Sequence, residues 1–314
     1  MALFDRIKKG QTVSAPRIMI IGVEGVGKST AGANMPNPVF ICGENGLVGP
    51  QFSDTTSFTP ENWGEILQFV DELAQDQHGF KTLVIDTLDW VEPMLYAHVC
   101  KNANHKNIED FGYGKGYVVA QQEARQLLAR LDRLNAKGMN ILILCHSQIK
   151  TVKNPVGDDY DHFEAKVNMK IGGIFKEWCD AVLFAQFDMY TRKDGLRSKA
   201  VGGDNRIVQT THSAAWDAKN RYYLPEVMPL DMTVIMEAIM KYIHGELDEN
   251  DIESLKKEFL NYVGAMKPES LKAAKEWLVS DKYSPELLAQ KVNAYRVKIA
   301  TRQIVNKQHE VLNG

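Results

Sequence analysis

Hydrophobic residues in this chain fall into short aliphatic runs separated by stretches of helical periodicity. Arg17 to Ile21 is such a run and ends at Gly22, the pattern of a buried parallel strand feeding a tight loop. Runs of similar length and β-branched content recur at Val39 to Cys42, Thr82 to Ile85, Asn140 to Cys145, Ala181 to Phe187 and Arg206 to Thr210. Between the earlier runs, Asn62 to Gln75 and Val118 to Asn135 repeat apolar residues at three- and four-residue steps and predict amphipathic helices. Strands alternating with helices predict an α/β fold with a mostly parallel sheet flanked by helices. The strand patterns stop near Leu230. Thr233 to His244 then reads as a Met-rich helix closing the core, Gly245 to Asn250 as a linker, and Asp251 to Gly314 as a C-terminal helical appendage. The last stretch of that appendage opens with Ser284 as N-cap and Pro285 at the first helical position. Its stripe Leu288, Val292, Tyr295, Ile299 makes one face, suited to packing on the core or to meeting a neighbour. The expected division is a lead segment 1–16, a core 17–244 and a tail 245–314.

Composition narrows the class without naming a partner. The 314 residues are 44% hydrophobic and 25% charged, enough for one large domain plus the appendage. A formal net charge of -3 gives no global positive field, so any contact with phosphates must come from local patches. Cys42, Cys100, Cys145 and Cys179 form no closely spaced pair and read as buried thiols. The first ten residues lack an apolar signal core, and no apolar stretch reaches the roughly 20 residues of a membrane helix, so a cytoplasmic protein without membrane contact is expected.

The candidate chemistry begins where the first strand ends. Gly22-Val23-Glu24-Gly25-Val26-Gly27-Lys28-Ser29 has the spacing GxxxxGK[ST], in which glycines let successive backbone N–H groups converge on a phosphate. Lys28 is then expected on the β- and γ-phosphates of ATP and Ser29 on Mg²⁺, with Thr30 behind it; a strand precedes the loop and Ser29 to Asn34 can start a helix before Pro36. Leu83-Val84-Ile85-Asp86 is an aliphatic strand ending in a carboxylate, the expected Mg²⁺ aspartate. Hydrolysis also needs a group that orients water; the acidic candidates are Glu44, Asp89 and Glu92. Glu44 ends the strand that follows the phosphate loop, so its carboxylate is expected at the sheet edge where phosphates lie.

Those elements, in that order over roughly Arg17 to Leu230, resemble the RecA and RadA family of recombination ATPases, and more closely the short RecA-like bacteriophage ATPases associated with single-strand annealing. The resemblance implies a RecA-like P-loop core and makes Glu44, at the end of Phe40-Ile41-Cys42-Gly43-Glu44, the catalytic glutamate. It implies a γ-phosphate sensor at the end of the strand Ile141 to Cys145, with Gln148 matching best and His146 the alternative. It also implies that Lys219 and Arg221, before Leu224-Pro225, reach a neighbouring subunit's ATP site, which makes a homo-oligomer, a ring or short filament, part of the chemistry. Two segments stand where such proteins place DNA loops. In Phe111-Gly112-Tyr113-Gly114-Lys115-Gly116-Tyr117 the aromatics offer faces to bases and Lys115 can meet a phosphate. Lys150 to Lys176 carries Lys150, Lys153, Lys166, Lys170 and Lys176, diluted by Asp158, Asp159, Asp161 and Glu164.

The resemblance thus implies a DNA-stimulated ATPase acting on single-stranded DNA in phage-type recombination, in the host cytoplasm if phage-encoded, with a single-strand DNA-binding protein as a further candidate partner. A helicase or packaging motor is the alternative; a small-molecule kinase is weakened because no arginine-rich lid is visible. The chain departs from the family pattern in two places: the first strand starts at about Arg17, so polymerisation through an N-terminal strand is not expected, and the helical tail maps onto nothing in the family.

Overall fold

The computed structural model describes residues 14–44, 46–154, 157–194, 197–244, 249–266, 268–280, 282–285, 287–288, 291–292 and 295. Six strands form a parallel array in the order β7 (Ala181–Asp194), β1 (Arg17–Gly22), β5 (Asn140–Val152), β4 (Thr82–Asp86), β2 (Pro38–Cys42) and β3 (Thr56–Phe58). Beyond β7 the sheet turns antiparallel, through β8 (Arg197–Gln209) and then β10 (Val227–Pro229). Two short strands pair off this path, β6 (Tyr160–Ala165) with β5 and β9 (Lys219–Asn220) with β7.

The period-two alternation of β1 decides which side each residue serves. Met19 and Ile21 join one core with α2 (Trp63–Gln75), α3 (Leu88–Asn102), α4 (Lys115–Ala136) and α5 (Met169–Trp178); Ile18 and Ile20 join a second with α1 (Lys28–Ala33) and α6 (Met232–His244). In α4 the buried residues Ala120, Ala124, Leu127, Leu128, Leu131 and Leu134 keep one stripe against the sheet. Asn62 caps α2 by accepting from Glu65 N at 3.2 Å, while Glu65 Oε2 accepts from Glu61 N at 2.8 Å, so donors at the helix entry are satisfied from both sides.

Several strands run past the limits set by hydrophobicity. β5 continues seven residues beyond Cys145 because its far half leaves the main sheet and pairs with β6. β7 and β8 extend toward each other as a long hairpin, where polar residues suit a two-stranded ribbon. The segment Lys150 to Lys176, expected as one long polar loop, is instead the end of β5, the strand β6 and the helix α5. In the tail, α7 (Glu249–Met266) starts inside the expected linker, and α8 (Leu271–Trp277) packs with it around Phe259 and Val263. Ser284 Oγ accepts from Leu287 N at 3.2 Å, and Leu288 and Val292 are buried with Tyr295 in that same cluster, so the stripe packs within the tail rather than on the core. Ile299, residues 1–13 and residues 296–314 lie outside the described residues. All four cysteines are buried free thiols, and no described helix is long and apolar enough to cross a membrane.

Candidate functional site

The site grows from the end of β1. Gly22 pairs with Ala185 of β7, and a Cβ on Gly22 would lie 2.6 Å from the Ala185 carbonyl oxygen, so glycine lets the strands close where the loop begins. Gly25 and Gly27 then take φ of 73° and 102°, the left-handed conformation that turns consecutive amides inward. Val26 is fully buried and pins the loop from beneath. Lys28 opens α1 and folds back across the loop, its Nζ donating to Gly22 O and Val23 O at 3.0 Å each.

Lys28 is nearly buried, and burial pushes its pKa down, opposed by the charges of Asp89 and Asp86. Asp86 ends β4 beside it. Burial pushes that carboxyl up, while the Ser29 hydroxyl and the Lys28 charge act the other way. Glu44 joins the group because Gly43 N donates to Asp86 O at 2.8 Å, and the Glu44 charge in turn disfavours ionised Asp86. Gly43 is required there: a Cβ would stand 2.7 Å from Trp90 Cβ of α3.

A second pair sits on the same edge. Asp89, in the first turn of α3, accepts from the His146 backbone N at 2.9 Å and from its ring Nδ1 at 2.8 Å. Burial alone would raise Asp89; the hydrogen bonds from His146 outweigh it and hold the carboxyl at about 2. With Nδ1 committed to a carboxylate, the His146 ring is fixed in orientation.

A glycine-built loop with a buried ammonium, next to a hydroxyl and a carboxylate of a strand end, is the donor set for a nucleotide with Mg²⁺. Residues 14–222, more than half of the chain, match the family model described as an AAA domain. The chain belongs to this AAA-domain family of P-loop ATPases. No curated protein matches it. For an AAA-domain ATPase the residues present fit the group: the loop amides and Lys28 would hold phosphates, and Ser29 and Asp86 would hold a metal ion, which when bound would neutralise charge on the phosphate oxygens.

The remaining expected residues of this ATPase are placed as follows. Gln148 lies two residues past His146 on β5, at the start of the β5–β6 hairpin, where its amide donates to Glu164 Oε1 at 3.2 Å. His146, not Gln148, is the residue joined to Asp89. Glu92 is engaged outside the loop, accepting from Tyr96 Oη at 2.7 Å and Asn168 N at 2.8 Å. Lys219 and Arg221 are at the opposite sheet edge, because β9 pairs with the start of β7. Lys219 Nζ donates to the carbonyls of Lys176, Glu177 and Cys179 at 3.2, 2.7 and 2.6 Å, and so caps the end of α5. Arg221 Nη1 donates to Asp180 Oδ1 at 3.0 Å and stays half exposed.

The two expected DNA segments separate into packed and open residues. Phe111 packs on the His105 ring at 4.3 Å, and Tyr117 on Tyr96 at 5.7 Å with its hydroxyl donating to Glu109 at 2.6 Å. Tyr113 is fully exposed and Lys115 is exposed. In the second segment nearly every lysine has an acid: Lys150 lies 3.4 Å from Glu164, Lys166 3.5 Å from Glu24, Lys153 is bonded to Asp159 and Lys176 to Asp217. Lys170 is exposed, and its carbonyl accepts from Gln121 of α4 at 3.3 Å.

Proposed function

We propose that this ATPase hydrolyses ATP to act on single-stranded DNA in phage-type homologous recombination, pairing or annealing strands as a homo-oligomer. On this reading Lys28 and the amides of Gly22 to Thr30 hold the phosphates, Ser29 and Asp86 hold the metal ion, and Glu44 orients the attacking water. His146, clamped by Asp89, is favoured over Gln148 as the γ-phosphate sensor because it alone is tied to the group around Asp86. Arg221 stands at the far sheet edge of its own subunit, paired with Asp180, so on this reading it would reach a phosphate only in a second subunit's site.

The observation that carries the DNA part is Tyr113. It has φ of 50°, between Gly112 at 70° and Gly114 at 68°, and its ring is fully exposed. A tyrosine in the left-handed region is disfavoured, and an exposed ring gains nothing from packing, so the fold does not account for it. Stacking on an unpaired base does, and Lys115 beside it supplies charge for a phosphate. Anisotropy of a labelled single-stranded oligonucleotide tests this with Tyr113→Ala and Lys115→Ala. The proposal expects the tyrosine change to weaken binding about tenfold, from stacking of about 1 to 3 kcal/mol per base. Unchanged affinity in both variants would remove the loop from the DNA site.

A further inference from the structure

The flank of the phosphate loop that faces away from Asp86 carries a cation with no role assigned above. Arg206 stands on β8 opposite Phe187 of β7, two residues past Ala185, which is level with Gly22 of β1. That register carries it above the sheet edge and onto the loop. A Cβ on Gly27 would sit 2.8 Å from Arg206 Nη1 and 3.6 Å from its Cζ, so the guanidinium occupies the space a loop side chain would take. Arg17, Arg130 and Arg221 each pair with an aspartate, whereas no hydrogen bond or ion pair engages the Arg206 guanidinium among the described residues. A solvent-accessible fork donor is thus held, without a counter-ion, against a loop built to cradle anions.

Sheet order gives the direction of the ligand. Asp86, Glu44 and His146 come from β4, the end of β2 and β5, all on one side of β1, while β7 and β8 lie on the other. The phosphate that is cleaved must face the carboxylates, so the nucleoside end of the chain leaves over β7 and β8. We infer that Arg206 is a nucleotide-binding residue that holds, within its own subunit, the nucleoside-proximal phosphates common to ATP and ADP. This rests on the nucleotide reading of the loop and is independent of the DNA reading. An interaction made equally before and during hydrolysis lowers KM and leaves kcat alone.

Calorimetric titration of the full chain with MgADP and with a non-hydrolysable ATP analogue, alongside steady-state kinetics, tests the assignment. Arg206→Ala is expected to weaken both nucleotides by the same factor, about tenfold or more, as for loss of a charge-assisted contact. Arg206→Lys is expected to recover part of the loss, and kcat at saturating ATP to stay within about twofold of wild type. Unchanged ADP affinity, tighter binding, or a loss confined to the ATP analogue would each overturn the assignment. Should Arg206→Ala not fold, Arg206→Gln and Arg206→Lys carry the same comparison. Wild-type protein that bound neither nucleotide would overturn the loop reading itself, whereas binding indifferent to Arg206 overturns this inference alone.

Discussion

The phosphate loop and the β5–β6 hairpin both gather charged residues at one edge of the sheet, and they differ in what neutralises them. In the loop, Lys28 is buried, bonded to carbonyl oxygens, and close enough to Asp86 and Asp89 to feel both charges. In the hairpin, Lys150 and Lys153 are exposed, and each already has a carboxylate of the same hairpin beside it. Coulomb interactions are several-fold stronger away from water, and exposed pairs contribute about 0 to 1 kcal/mol. A row of paired surface lysines is therefore not a basic patch, whereas one buried lysine held against backbone carbonyls is the stronger candidate for binding phosphates.

That contrast can be broken or sharpened by substitution. Lys28→Ala should have the largest effect, lowering ATP hydrolysis by about 10³ or more in a phosphate-release assay, since it removes a preorganised charge on the phosphates. Glu44→Gln keeps the shape of the site and removes the proposed water-orienting carboxylate; kcat is expected to fall about 10² to 10³ with nucleotide affinity retained. If Glu44→Gln hydrolysed normally, Asp89 would have to be reconsidered as the water-orienting group.

Asp89 offers a test by pH. Its carboxyl is held at about 2, below the usual carboxylate range, so its ionised form stabilises the folded state above pH of about 4, and that stabilisation is lost as pH falls toward 2. The sign follows because the unfolded chain binds the proton first. In denaturant melts the wild type should lose about 2 kcal/mol across that window from this group, and Asp89→Asn should lose correspondingly less. Equal acid sensitivity in the two proteins would contradict the pairing with His146. The smallest effect belongs to the hairpin: Lys150→Ala combined with Lys153→Ala should change single-stranded DNA affinity by less than about threefold, because both charges are already paired. A loss approaching that of Tyr113→Ala would make the hairpin part of the DNA surface.

How far the sequence could be read depended on whether a feature was local. The phosphate loop is encoded by glycine spacing after an aliphatic strand, and β4 by an aliphatic run ending in Asp86, so both were legible. The position of Glu44 was legible for the same reason, since it lies two residues past the end of β2. The β7–β8 hairpin was half hidden, because its polar outer half lacks the hydrophobic run that marks a buried strand. His146 with Asp89, and Arg206 with Gly27, join a strand residue to one from a helix or loop far away in sequence, and only the fold brings them together. The glycines carried a signal that spacing alone did not explain: Gly22 yields to Ala185 of β7, and Gly27 to Arg206 of β8. The lysines of residues 150–176 misled by count, since their partners Glu164, Asp159, Glu24 and Asp217 were assigned only by folding.

The central claim is that ATP turnover at the phosphate loop is coupled to single-stranded DNA through the Tyr113 loop. Its most direct test is the ATP hydrolysis rate of the purified full chain with single-stranded DNA, with duplex DNA and with none, using Lys28→Ala as the blank and Tyr113→Ala as the uncoupled variant. The account predicts stimulation by single strands alone, and a Tyr113→Ala protein that keeps basal turnover but loses the stimulation. Turnover above the blank that ignored every form of DNA would contradict the coupling and leave an AAA-domain ATPase acting on something else.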